Sequence, residues 1–460
     1  MEPEELASAI RDLNNWAQRH APEPEPEPRR RLRALFDDEP RDLPIITRAM
    51  KLWDRPNFQV AIDAFLTGRA WDLIGLVIMR FQPVGLPELA RGGPGSAVGV
   101  GEAEHVTIPL GDDERIVCVQ SGLWLVEGDD DPLAIMLKHT PGPGREELAL
   151  QVMAREKARA AAVVAELWRI MGEHNVYRGR VLELRDRHFN DHDAPLTVRS
   201  LPKIGREQIV LPPGVLERVE RTTFGISRHA ERLRASGRHM RRGLLLHGAP
   251  GVGKTLTAMY LATQMPERTV VLLTGRGLGL ISSSVELAVS LAPAIVILED
   301  VDLVAMERSQ EPTNALLFEL LNAMDGLDAD HDVLFVLTTN AAQRIEPALA
   351  ARPGRIDQAV ELPLPDAAGR RRLLALYGEG LQLALDDGGD LIAELEGTSP
   401  AFIRELLRRS ALVAAEQTEG PLRVTQHHLR EAHAELRTGA SELTRTLLGG
   451  GDGSSRAAET

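Results

Sequence analysis

A chain of 460 residues is long enough for more than one independently packed domain, and 43% hydrophobic with 26% charged residues is an ordinary globular composition. A formal charge of −14 argues against the basic surface that neutralises phosphates, so nucleic acid is not the expected partner. Cys118 is the single cysteine, which excludes an internal disulfide and fits a reducing compartment, and the acidic start "MEPEELASAI" lacks the basic and apolar regions of a signal peptide.

Taken in chain order, residues 1–31 predict a disordered or weakly helical extension ending in "APEPEPEPRRR", whose alternating Pro and Glu suit an extended, solvated linker. Residues 32–90 read as a helical segment, with Trp53, Phe58, Phe65 and Trp71 available for a small core. Its greasiest window, "AFLTGRAWDLIGLVIMRF", is interrupted by Arg69, Asp72 and Arg80, so a buried helix is expected there rather than a membrane span. "ARGGPGSAVGVG" marks a Gly-rich linker at 91–100. Over 101–206, apolar runs alternate with Asp/Gly turns, a long helix follows in "REELALQVMAREKARAAAVVAELWRIM", and "VYRGRVLELR" reads as a strand. That combination predicts an α+β N-terminal domain, and the expected localisation is cytoplasmic, with no membrane anchor.

From 207 to 365 the grammar changes to alternating strand and helix: "GLLLHG", "TVVLLT", "AIVILED" and "DVLFVLTTN" are strands separated by helical stretches. This is the pattern of an α/β fold, a parallel sheet with helices on both faces. Over 366–440 strand signals largely stop. "AGRRRLLALY", "SPAFIRELLRRSALVAAEQ" and "TQHHLREAHAEL" predict a small helical domain, with Ser399 before Pro400 as a helix start. Residues 441–460, Gly- and Ser-rich, predict a disordered tail.

"GAPGVGKT" matches the phosphate-loop pattern between a strand and a helix. In such a loop the glycines let amides turn inward around phosphates, and the helix N-terminus adds partial positive charge. The expected nucleotide-binding residues are Gly248, Ala249, Pro250, Gly251, Val252, Gly253, Lys254, Thr255 and Leu256. Lys254 reaches the β- and γ-phosphates in this reading, and the Thr255 hydroxyl ligates Mg2+. The later apolar run "PAIVILEDVD" delivers Glu299, Asp300 and Asp302 to the edge of a sheet.

With an acidic strand following a phosphate loop, the chain resembles the AAA family of ATPases over about residues 207–440. "NALLFELLNAMDGL" resembles the family's helix after that strand, "VLFVLTTN" its first sensor strand with Asn340 as sensor, and "ARPGRID" its arginine-finger loop with Arg352 and Arg355 as fingers. The helical segment after Pro365 resembles the family's lid. The resemblance implies a P-loop NTPase fold, ATP and Mg2+ as ligands, a homo-oligomeric ring, hexameric by the family's habit, and a protein client. It places Glu299 on the magnesium side with Thr255, and Asp300 as the base that polarises water, in catalysis with Asn340, Arg352 and Arg355.

The usual acid order is reversed here. An aspartate carboxylate falls back by about one carbon–carbon bond, ~1.5 Å, and a misplacement of about 1 Å can cost on the order of a hundredfold in rate. A longer Glu on the metal side would offset this if nucleotide and strand shift together. A branch of the family that includes the mitochondrial Rieske-protein translocase carries a similar Glu-Asp-x-Asp order and hydrolyses ATP, so an active site is expected. The loop "TGRGLGLISSSVEL" lacks the aromatic of polypeptide-threading members; Leu278, Leu280 and Ile281 are candidate substitutes, and a plain glycine-rich turn is an equal reading. With no membrane anchor expected, the Rieske role itself is not carried over, and no H-E-x-x-H for a fused zinc protease occurs in these residues.

Two further stretches have plainer readings. "DRHFNDHDA", with His188 and His192 among Asp186, Asp191 and Asp193, reads as a loop before a zinc site. "RHAERLRASGRHMRRG" reads as a solvated basic helix followed by Arg241 and Arg242 at a strand entrance. The leading expectation is an ATP-hydrolysing motor or remodelling ATPase; the rivals are a nucleotide-gated scaffold with little turnover and a DNA-acting ATPase.

Overall fold

The computed structural model describes residues 25–78, 84–92, 98–111, 113–128, 131–140, 147–184, 196–237, 242–274, 280–302, 320, 322–324, 331–343, 356–384, 389–417 and 422–438. The chain divides into two compact units: one runs to Val176, and the other takes Tyr177–Asp186 and everything from Leu196 onward.

The first unit begins with the helix Glu27–Phe36, entered through Pro26 with Pro28 in its first turn. Proline is tolerated there because the first-turn amides have no intrahelical acceptor. The Pro/Glu stretch therefore ends inside a helix rather than wholly in a linker; residues 1–24 lie outside the described residues. Among the described residues the unit's strands are β1 (Ile45–Met50), β2 (Trp71–Ile78), β3 (Val98–Gly101), β4 (Glu104–Pro109), β5 (Arg115–Val126), β6 (Leu133–Thr140) and β7 (Glu147–Met153). They form an antiparallel sheet in the order β1-β7-β6-β5-β2-β3, with β4 paired to β5.

Both faces of this sheet are covered. On β5, Trp124 and Val126 join one core with the helices Arg55–Leu66 and Lys157–Glu173, where Phe58 meets Trp124 edge to face at 5.6 Å. The alternate residues Leu123 and Leu125 join a second core with Leu32, Phe36, Leu86 and Leu89. The period of two along a strand buried on both sides explains the unbroken "LWLV".

Residues 32–90 are thus not a helical segment. Two of its stretches, β1 and β2, are strands of the sheet that also takes its strands from 101–206. Within the window expected as one buried helix, the helix closes at Leu66, Gly68 takes a positive φ of 78°, and β2 starts at Trp71. Pairing of Trp71 with Val126 and of Ile45 with Met153 overrides local helical signals. The Gly-rich stretch ends inside β3, residues 93–97 being outside the described residues.

The second unit holds a seven-stranded sheet in the order β14-β10-β13-β12-β11-β8-β9. Its strands are β8 (Val181–Leu184), β9 (Leu196–Arg199), β10 (Arg242–His247), β11 (Thr269–Leu273), β12 (Ala294–Leu298), β13 (Val333–Thr339) and β14 (Gln358–Glu361). All neighbours are parallel except the edge strand β9. Every residue of β11, β12 and β13 is buried, as in a sheet covered on both faces. Leu244, Leu246, Ile295, Ile297, Leu334 and Val336 share one core with Ala258 and Leu261 of the helix Lys254–Thr263. This is the P-loop NTPase arrangement. It starts earlier than residue 207: β8 and β9, expected in the N-terminal domain, extend this sheet through the pairing of Val181 with Val270.

The ends of the strands opposite the phosphate loop are clamped by charge. Asp332, just before β13, accepts from Arg242 Nη2 (2.9 Å) and Arg268 Nη2 (2.7 Å), and both arginines are buried. Arg242, read as lying at a strand entrance beside a solvated basic helix, is therefore an interior ion-pair partner. Residues 238–241 lie outside the described residues.

The helices Ala367–Tyr377, Gly389–Glu394, Pro400–Gln417 and Gln426–Thr438 build the small helical domain around a core that includes Leu373, Phe402, Leu406 and Leu429. Two short parallel strands, β15 (Gln382–Ala384) and β16 (Arg423–Thr425), add to it. Asp366 accepts from Gly369 N (2.7 Å) and Ser399 Oγ from Phe402 N (3.2 Å), each capping a helix start. Among the described residues, no helix is long and apolar enough to cross a membrane.

Candidate active site

The loop after β10 turns through three glycines in conformations that side chains disfavour: φ is 147° at Gly248, 78° at Gly251 and 101° at Gly253. A Cβ at Gly248 would come within 2.4 Å of the Leu362 carbonyl oxygen. One at Gly251 would come within 2.8 Å of Ala401 Cβ and Ser399 Oγ. The loop delivers the chain into the helix Lys254–Thr263, whose first amides face back along it. Lys254 is buried, and its ammonium donates to Gly248 O and Ala249 O, both at 3.0 Å, and to Asn340 Oδ1 at 2.7 Å. Burial lowers its pKa, against the opposing pull of Asp300 and Asp302.

The acids follow β12. The Glu299 amide donates to Leu273 O of β11 (3.1 Å), whereas the Asp300 amide donates to Thr338 Oγ1 (3.0 Å) and the Val301 amide to Thr338 O (3.0 Å) on β13. Asp300 has a φ of 48°, in the left-handed region. Its Oδ1 accepts from Asn340 Nδ2 at 3.1 Å, so Lys254, Asn340 and Asp300 form a chain of direct contacts. Asp302 is buried behind them, its Oδ1 accepting from Thr339 Oγ1 (2.8 Å) and Asn340 N (3.1 Å).

The Glu299 carboxyl lies near Thr255, and its Oε1 is buried with no hydrogen-bond partner among the described residues. Burial is the main reason its pKa is raised; Thr255 opposes the shift and the charge of Asp300 adds to it. A buried, unsatisfied carboxylate oxygen beside a hydroxyl fits a hard cation that takes few protein ligands and completes its shell from phosphate and water. The donor set therefore fits Mg2+ held by Thr255 and Glu299.

A cleft of about 1200 Å³ opens beside the loop. Its walls include Ile209 and Val210 from the segment before the sheet, Tyr377, and Ala401 and Arg404 from the helical domain. The helical domain also touches the loop directly, Ala401 N donating to Gly251 O at 3.2 Å.

The structure thus brings together Gly248 to Leu256, Glu299, Asp300 and Asn340, all expected at the site. Arg352 and Arg355 lie outside the described residues, as do Leu278, His188 and His192. Sequence reasoning did not single out Asp302 as the residue holding Asn340, nor the walls at Ile209, Val210 and Tyr377. An acid three residues after Glu299 was visible in "EDVD" and was the one available signal for Asp302.

Residues 244–364 match the model of the ATPase family associated with various cellular activities (AAA). A proteasome-activating nucleotidase of Methanocaldococcus jannaschii is 28% identical over 264 residues, covering 54% of this chain and 58% of the relative. The ATP-dependent zinc metalloprotease FtsH 3 of Sphaerobacter thermophilus is 33% identical over 233 residues, covering 48% of this chain and 47% of that protein. A proteasome-activating nucleotidase of Pyrococcus horikoshii is 33% identical over 207 residues, covering 41% of this chain and 51% of the relative. The chain spans about half the length of the curated relatives it matches.

Proposed function

We propose that this chain binds ATP with Mg2+ through its AAA segment, hydrolyses it, and uses the cycle to remodel a protein client or assembly. The observation that carries the proposal is the joined set at one end of the sheet. A glycine loop with a buried lysine, a sensor asparagine touching both lysine and Asp300, and an unsatisfied Glu299 oxygen beside Thr255 lie together. The similarity of the segment to nucleotidases and to an ATP-dependent protease, both named for work on or with proteolytic machines, supports a protein client over a nucleic acid. The net charge of −14 points the same way.

In this reading, backbone amides from Gly251 to Thr255 and the Lys254 ammonium hold the phosphates, and Lys254 exchanges its bonds to the Gly248 and Ala249 carbonyls for them. Bound Mg2+ would supply neutralisation of the charge on the phosphates. Thr255 and Glu299 hold the cation side. Asp300 accepts a proton from water, and Asn340 orients Asp300. Arg352 and Arg355 act on the nucleotide of a neighbouring subunit, which makes a ring, a hexamer by the family's habit, part of the proposal. The Glu-Asp order is similar to the Rieske-translocase branch of the family, which supports turnover with an aspartate at this place. The proposed localisation is cytoplasmic.

The shorter Asp300 favours one alternative, a nucleotide-gated scaffold that holds ATP and scarcely hydrolyses it. Steady-state phosphate release separates the two, since a scaffold turns over no faster than its Asp300→Asn variant. Lys254→Ala tests the binding step. Loss of a charge-assisted contact of about 1.5–3 kcal/mol weakens Mg-ATP binding on the order of 10- to 100-fold. Unchanged affinity by titration calorimetry would refute the assignment of the loop.

A further inference from the structure

Glu299 and Asp300 are consecutive, yet both lie toward the phosphate loop, Glu299 near Thr255 and Asp300 joined to Lys254 through Asn340. In an extended strand, successive side chains point to opposite faces and successive amides to opposite neighbours. Up to Glu299 the chain keeps that alternation: the Glu299 amide goes to β11 and the Asp300 amide to β13. The Val301 amide would next return to β11. It goes instead to Thr338 O on β13, because Asp300 turns the backbone into the left-handed region at a φ of 48°. Two consecutive amides therefore arrive at one residue. The Thr338 carbonyl accepts the second at 3.0 Å, and the Thr338 hydroxyl accepts the first, also at 3.0 Å.

We infer that Thr338 is a positioning residue for Asp300. Its hydroxyl supplies the additional acceptor that the left-handed turn requires, and the turn aims the short carboxylate at Asn340 and the reacting phosphate. Aspartate enters this conformation more readily than a longer side chain, since its short polar group suits the left-handed region. The Glu-to-Asp exchange and the threonine are then two halves of one arrangement. The carboxylate lost in length is recovered by backbone direction, and Thr338, fully buried on β13, fixes that direction. The inference rests on the hydrolytic reading given above and deepens it.

The test compares Thr338→Val, which keeps shape and removes the acceptor, with Thr338→Ser, which keeps the hydroxyl. Both are made in the full chain, with steady-state ATP turnover and Mg-ADP affinity as readouts. Thr338→Val is expected to lower kcat on the order of a hundredfold, the scale of a misplacement of about 1 Å. KM and Mg-ADP affinity stay at wild-type values, and Thr338→Ser recovers most of the lost turnover. Equal turnover in wild type and Thr338→Val would overturn the inference, as would Thr338→Ser as slow as Thr338→Val. A fall in kcat matched by an equal loss of Mg-ADP affinity would overturn it too, since that marks general damage to the fold. A wild type that binds Mg-ATP without turnover removes the hydrolytic reading itself, and this inference with it; that result is recognised before any variant is made.

Discussion

Asp332 joins two buried guanidiniums at the end of the sheet away from the phosphate loop, and its removal is the most demanding test of how that sheet is held. In Asp332→Ala, Arg242 and Arg268, exposed by only 2% and 3%, lose the carboxylate that accepts from both. Arg242 keeps its bond to Thr223 O at 2.8 Å, whereas Arg268 is left with two carbonyl contacts of 3.5 Å and a distant Glu267. Breaking a buried pair by deleting one partner costs about 3–5 kcal/mol, because an uncompensated charge stays inside. For a unit of this size that corresponds to a fall in Tm on the order of 10 °C. Differential scanning calorimetry reads it in the transition that Mg-ADP raises, which identifies the unit carrying the loop. The pH dependence carries a sign. Burial alone would raise the Asp332 pKa from its ordinary 3.8, but Arg268 and Arg242 outweigh it and the pKa is lowered. The stabilisation is therefore complete above pH 3.8 and is lost as pH falls through the lower folded value. A Tm for Asp332→Ala equal to wild type at neutral pH would refute the clamp.

Glu299→Gln should act in opposite directions on stability and ligand binding. The raised pKa of Glu299 means its charge is a burden in the free protein, so the variant melts higher without ligand, as wild type itself gains stability when pH falls through that folded pKa. Its Mg-dependent nucleotide affinity falls, and a lower Tm with affinity retained would contradict the cation assignment. Arg352→Ala and Arg355→Ala are each expected to keep Mg-ATP binding and to lose turnover, by up to 10³-fold or more for an arginine acting on the transferring phosphate; phosphate release and calorimetry on the same sample check both. Gly251→Ala strains a residue with φ of 78° and drives a methyl against Ser399 and Ala401. It should weaken nucleotide binding with the sheet intact by circular dichroism, and unchanged binding would show that the helical domain yields freely.

Much of the second unit was legible because its physics is local. β10 to β13 are short apolar runs buried on both faces, and the turn between β10 and its helix is written in glycines and a lysine that few other loops need. The Ser399 helix start was legible for the same reason, one side chain capping the next amides. What escaped depends on distant partners. β1 and β2 are strands because Ile45 finds Met153 and Trp71 finds Val126, which no window of neighbouring residues contains. β8 belongs to the second unit through Val270. The exchange of Glu and Asp looked in sequence like a loss of reach; the left-handed φ at Asp300 and the Thr338 hydroxyl, which change that reading, are properties of the folded backbone.

The central claim is that one end of this sheet holds Mg-ATP and readies it for cleavage. Titration of wild type with Mg-ATP, followed by phosphate release from the same sample, tests it most directly. The account predicts saturable binding at one site per chain, with phosphate release that Asp300→Asn abolishes while binding persists. Absence of binding heat with either ATP or ADP in the folded, magnesium-supplied protein would contradict it.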